Sequence, residues 1–202
     1  MNKRQLHQVE KDETGLERLV FFSDAVFAIA ITLLALDIRP PEIAGLGNAE
    51  LFQGLLSIYP KYLSFMISFL VIGNFWLIHH RQFQAIVRYD TRLMFINLFV
   101  LMGIAFIPFP TVVISENGNY TATVFYALTM GAVGLLLALL WFHATRSRLT
   151  APDLPPALVR RGMTRTLSVS AVFLLSVGLA SIHPDLAKYS WILIAPAVIL
   201  VK

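Results

Sequence analysis

Residues 18–36 read RLVFFSDAVFAIAITLLAL, beginning at Arg18 and passing through Phe22, Ser23 and Asp24. Twelve residues follow Asp24 up to Leu36, and Thr32 is their one polar member. An ionised carboxylate in such a span costs about 2.5–3.5 kcal/mol on insertion scales, so it faces protein or water and marks a functional or organising position. A helix over 15–38 covers about 36 Å at 1.5 Å per residue, enough to cross a bilayer. Thr14-Gly15-Leu16-Glu17 has the capping-box pattern and predicts a helix start there. Pro40-Pro41 forbid continuation at the other end.

Composition extends this reading to the whole chain. Of 202 residues, 57% are hydrophobic and only 14% charged, with a mean hydropathy of +0.70. A soluble domain carries about 25% charged residues. This is the composition of an integral membrane protein. The formal charge of +4 fits basic loops rather than nucleic-acid binding. Cysteine is absent, which excludes disulfides, thiolate catalysis and Cys-based metal sites. No cleavable signal is expected, because the first apolar run is too long and a polar leader, 1–14, precedes it.

Six apolar spans are expected in one domain covering 1–202: about 15–38, 51–87, 93–114, 121–144, 160–182 and 186–201. Within the second, Pro60 kinks the helix or divides a short outer piece from the span proper, and Pro108 and Pro110 disturb the far end of the third. Arg81, Arg88 and Arg92 cluster where span two, whose core is 62–80, meets span three, and Arg146, Arg148 and the basic stretch of Arg160, Arg161 and Arg165 ahead of the apolar part of span five cluster between four and five. The opposite loops carry Arg39 and Lys188, with Lys61 close to a helix end. The positive-inside rule puts the basic loops, the N-terminus and, after an even number of spans, the C-terminus in the cytoplasm. Asn119-Tyr120-Thr121 matches a glycosylation sequon too short to carry weight.

At 100° per residue Ile29, Thr32, Leu33 and Leu36 fall within about 100° of arc, and Ser23 and Asp24 project on average to the opposite side. If Asp24 is buried against the chain's own helices, the stripe faces lipid, another subunit or a pore. Ala25, Ala28 and Ala35 permit close helix approach, which favours packing over lipid. Leu34, about 100° beyond Leu33, lies outside the stripe's centre and is expected to serve as the control for the stripe's own role.

Arg18-x-x-x-Phe22-Ser23-Asp24 at the start of the first span resembles the signature of the transmembrane protein 175 family, the endolysosomal potassium channel and its prokaryotic relatives. Gly73-Asn74-Phe75-Trp76 with His79-His80-Arg81 resembles that family's second span, and a single six-span unit resembles its prokaryotic form. The resemblance implies an all-α homotetrameric cation channel of a prokaryotic cell membrane, with four copies of the first helix lining a central pore. It implies constrictions at Ile29, Leu33 and Leu36, with Thr32 the hydroxyl among them. Four apolar side chains converging on an axis gate by dewetting, a hydrophobic gate. A ring of Thr32 hydroxyls replaces part of an ion's hydration shell and favours potassium over sodium modestly. The partners implied are lipid and monovalent cations; no cofactor or metal is expected beyond permeating potassium.

Asp24 is expected to tie the first helix to its neighbours through Trp76, His79 and His80, with Asn74 and Asn97 bridging helices in the same layer. Arg18 projects near the stripe, where a bare ring of four arginines would repel cations unless another subunit or helix neutralises it. Two other classes compete: a proton-coupled transporter titrating Asp24, and a haem or metal protein using His79, His80, His143 or His183. No phosphate loop, nucleophile motif or paired-carboxylate site points to an enzyme.

Overall fold

The computed structural model describes residues 3–42 and 47–191 as helices joined by short connections. They are α1 (Lys3–Leu33), continued by a 3-10 turn (Leu34–Asp37), then α2 (Asn48–Ser57), α3 (Tyr59–Ala85), α4 (Thr91–Phe106), α5 (Pro108–Asn117), α6 (Tyr120–Arg146), α7 (Pro156–Ala180) and α8 (Pro184–Ser190). Five stretches among the described residues are long and apolar enough to cross a membrane: Thr14–Asp37, Tyr59–Ala85, Thr91–Asn117, Tyr120–Arg146 and Pro156–Ala180. The expected sixth span, 186–201, lies mostly outside the described residues; only its beginning falls in α8.

Proline acts as expected at two places. Pro60 occupies the first turn of α3, where its missing N–H has no helical partner to lose, and Ile58 separates α2 from α3. Pro108 likewise opens α5, breaking the third span at Ile107. The capping-box expectation is overturned: α1 runs through Thr14 without a start. Eight of the eleven residues 3–13 are Lys, Arg, Gln, Glu or Leu, good helix formers, and neither Gly nor Pro interrupts them, so nothing local stops the helix there.

α1 packs against α3 and α4, while α6 packs along α7 and also touches α4, α5 and α8. In α6, 56% of the apolar stretch is buried inside the chain, against 22% in Thr14–Asp37, so α6 is the centre of the fold and the spanning part of α1 its flank. At Gly131 a Cβ would stand 2.8 Å from Leu174 Cδ2, and at Gly134 it would run into Ser170 Oγ. Small residues thus let α6 and α7 approach where hydrophobic force between helices is lacking.

Both basic loops sit at one end of the bundle. Val87 N–H donates to Leu149 O at 2.9 Å and Ala151 N–H to Ala85 O at 2.9 Å. Asp90 caps α4 by accepting from Leu93 N–H at 2.7 Å, and its carboxylate meets His143 Nε2 at 2.9 Å. Partial burial pushes the Asp90 carboxyl up, but the Leu93 N–H, His143 and Arg92 outweigh it and hold it below the usual carboxylate value. At the opposite end Gly118, with φ of 57°, turns the chain out of α5, and the Asn119 carboxamide accepts from Ala122 N–H at 3.0 Å to start α6. The asparagine of the apparent sequon is a helix cap.

Gly134→Leu forces α6 from α7 and is expected to lose about 1–3 kcal/mol by overpacking, read as a lower unfolding midpoint in detergent. Gly178→Ala, where an added Cβ meets nothing within 4 Å, should leave the midpoint unchanged.

Candidate functional site: the two faces of the first helix

Ser23, Phe27, Ala30 and Leu34 recur at intervals of four, three and four residues, and all are at most 2% exposed. They form the face α1 turns toward α3 and α4. On the other side, Ile29 is 58%, Leu33 42% and Leu36 70% exposed, and Thr32 is exposed as well. Among the described residues the stripe therefore has little cover from its own chain. The helical period that separates the two sets places the half-exposed Phe22 with the stripe rather than with Ser23. Arg18 is exposed on the same side, with no hydrogen bond or ion pair among the described residues.

Thr32 Oγ1 donates back to its own helix, within reach of Ala28 O at 3.1 Å and Ile29 O at 2.9 Å. Its hydrogen is occupied by the backbone, so the hydroxyl presents lone pairs outward. Such an oxygen can accept a cation but has no proton left to offer an anion.

The end of α1 nearer Arg18 is fastened by polar contacts in an apolar layer. Trp76 Nε1 donates to Asp24 Oδ1 at 2.8 Å. His79 Nε2 donates to Asn97 Oδ1 at 2.9 Å, Asn97 Nδ2 to Ser23 Oγ at 3.0 Å, and Ser23 Oγ to Leu19 O at 2.8 Å. Three helices are joined in one directed chain whose side chains are all buried. The His79 ring lies between Phe27, 5.4 Å away, and Phe83, stacked at 4.4 Å, which fixes its plane.

The sequence expectation holds for Trp76 and is redistributed for the others. His79 reaches Ser23 through Asn97 rather than Asp24 directly. His80 stacks on Trp76 at 5.3 Å and meets Gln84 Nε2 at 2.9 Å, without touching Asp24. Asn74 makes no bridge: its Nδ2 is buried and has no partner among the described residues. Leu34 lies off the stripe as expected, and at 2% exposure it belongs to the core. Its aliphatic side chain resembled those of the stripe, so only its place on the helix distinguishes it.

The opposite end, at Asp37, carries a fastening that the sequence alone does not reveal. Lys61 Nζ lies 3.7 Å from Asp37 Oδ1 and 3.6 Å from Glu116 Oε1, and Ser115 Oγ donates to Asp37 Oδ2 at 3.1 Å. Asp37, Lys61 and Glu116 line an open cavity of about 640 Å³ together with Leu33, Leu36 and Arg39. The signal was Asp37, Lys61 and Glu116 standing at matching ends of three spans. Among the described residues no three His, Cys, Asp or Glu side chains converge as a metal site.

Asn97→Leu strands the His79 N–H in a dry layer and is expected to cost about 1–3 kcal/mol of stability. Leu34→Ala should cost about 2–5 kcal/mol through cavity formation. Unfolding midpoints in detergent check both, with Leu175→Ala on the exposed face of α7 as the neutral reference.

The model of the family described as the endosomal/lysosomal potassium channel TMEM175 matches residues 18–108. That stretch holds α1 from Arg18 onward, α3 and α4, the three helices joined by the polar chain. A potassium channel of Streptomyces collinus is 40% identical over 181 residues, covering 87% of this chain and 86% of that one. A potassium channel of Chamaesiphon minutus is 39% identical over 148 residues, covering 70% of this chain and 71% of that one. The crystal structure of a lysosomal potassium-selective channel TMEM175 homologue from Chamaesiphon minutus superposes with a TM-score of 0.82 at 30% identity, covering 94% of this chain and 99% of the other. With a shared fold, a family model that matches from Arg18 onward and similarity over most of both chains, this multi-pass membrane protein belongs to the TMEM175 family.

Proposed function

We propose that the chain forms a potassium-permeable cation channel, with passive flux along an axis lined by α1 of several identical copies. The observation that carries this reading is the uncovered stripe of Ile29, Thr32, Leu33 and Leu36 opposite a fully buried face. One helix cannot enclose a path, so closed cyclic assembly is required, and four-fold symmetry matches the expected architecture. Ile29, Leu33 and Leu36 form apolar rings that gate by wetting and dewetting. Thr32 supplies a ring of outward oxygen acceptors, which suits weakly hydrated potassium better than sodium and disfavours strongly hydrated divalent ions.

The remaining site residues hold this helix in place. Asp24 is engaged by Trp76, and Ser23 by Asn97, so both act in positioning rather than in permeation. Arg18 stands exposed toward the axis and takes its countercharge from a neighbouring copy. The span expected over 186–201 completes a six-span unit with both termini in the cytoplasm, in a prokaryotic cell membrane.

Mass measurement in detergent is expected to give a closed oligomer, most simply a tetramer; a monomer that still conducts would sink the architecture. In reconstituted vesicles, Ile29→Ala and Leu36→Ala widen the rings and should each raise basal potassium flux severalfold. Thr32→Ala should keep substantial flux but lower the potassium-to-sodium permeability ratio. Silence at all three positions would remove α1 from the pathway.

A further inference from the structure

Where α3, α6 and α7 meet at the basic end of the bundle they enclose a cavity of about 330 Å³, away from the uncovered face of α1. Arg81, Arg161 and Arg165 line it, and no acid stands among its lining residues. None of the three joins an ion pair among the described residues. Arg161 and Arg165, four residues apart, share one face of α7. Three guanidinium groups gathered without a countercharge create a field that draws an anion, and their planar forks match phosphate oxygens.

Two buried atoms sharpen the chemistry. Arg165 Nε has no hydrogen-bond partner among the described residues, and neither has Gln82 Oε1. Gln82 is 3% exposed, and its Nε2 donates to Leu137 O and Thr166 Oγ1, both at 3.3 Å. A spare donor and a spare acceptor in one cavity call for a ligand bearing both an anionic oxygen and a hydroxyl. The walls are otherwise apolar, with Trp141 fixed by donating its Nε1 to Val159 O at 3.0 Å and Leu158 beside it. The occupant is therefore amphiphilic. Basic cavities between spanning helices at the loop-rich boundary are where lipid headgroups lodge.

We propose that this cavity binds the headgroup of an anionic phospholipid, its phosphate on Arg81, Arg161 and Arg165 and its hydroxyl on Gln82 Oε1. Gln82 lies three residues beyond His79 on α3, so an occupied cavity braces the helix that holds α1. The site requires only a membrane-spanning bundle and does not depend on ion conduction.

Thermal unfolding of the full chain in neutral detergent tests it, with phosphatidylglycerol, phosphatidylcholine or glycerol 3-phosphate added. Phosphatidylglycerol is expected to raise the midpoint saturably, and the other two are not. Arg165→Gln and Arg161→Gln should each raise the half-saturating phosphatidylglycerol concentration by about tenfold, the loss of one charge-assisted hydrogen bond. Arg146→Gln, the same charge change on the exposed end of α6, should leave it unaltered. If Arg165→Gln does not fold, the exposed Arg161 carries the comparison. Equal stabilisation by phosphatidylcholine, an equal response to glycerol 3-phosphate, or a phosphatidylglycerol response indifferent to Arg161 would overturn the proposal.

Discussion

The hydrogen-bonded chain from His79 through Asn97 to Ser23 sets the position of α1, and the rest of the structure depends on that position. In a membrane, lipid tails solvate an apolar helix as well as another helix does, so hydrophobicity alone cannot choose its rotation or depth. Polar groups in that medium can, because each unpaired one is expensive. Ser23 can be satisfied this way at one depth and one rotation. That rotation puts Phe27, Ala30 and Leu34 against α3 and α4 and leaves Ile29, Leu33 and Leu36 outside.

The two ends of α1 are fastened differently, in keeping with their surroundings. At the Arg18 end, neutral hydrogen bonds and the single Trp76–Asp24 contact suffice, since the layer is dry and short contacts hold well there. At the opposite end, at the open cavity, Lys61 stands between Asp37 and Glu116 at ion-pair distances that water and salt weaken. The 3-10 turn at Leu34–Asp37 delivers Asp37 to that cluster. A strong tie at one end and a soft one at the other give the part of the stripe near Asp37 more freedom than the part nearer Arg18.

Much of this was legible in the residues, for identifiable reasons. Ile29, Thr32, Leu33 and Leu36 stand at helical intervals, and Ser23 points away from them, so two faces of one helix follow from a 100° step. Pro60 and Pro108 broke their spans because a proline ring acts locally. The partner of Asp24 followed from depth alone, since Trp76 sits at the matching level of the next span. What depth cannot supply is rotation: α3 and α4 are apolar nearly all round, so their sequences do not say which polar group faces which. Sequence therefore leaves open that His79 meets Asn97 rather than Asp24, and that Asn74 makes no bridge among the described residues. The start of α1 was misplaced because a capping pattern competes poorly with helix formers on both sides.

The tie between α1 and its neighbours also has an order in time. Asp24 finds its indole donor 52 residues later in the chain, and Ser23 its carboxamide donor 74 residues later. A chain delivered to the bilayer from its N-terminus therefore inserts α1 before either partner exists. For that interval Asp24 has to remain near the headgroup boundary, where its charge can stay wet. Its place near one end of the apolar run permits this, whereas a carboxylate at the middle would resist insertion. The location of the acid that Trp76 engages in the finished bundle is thus also one that lets the unfinished bundle wait.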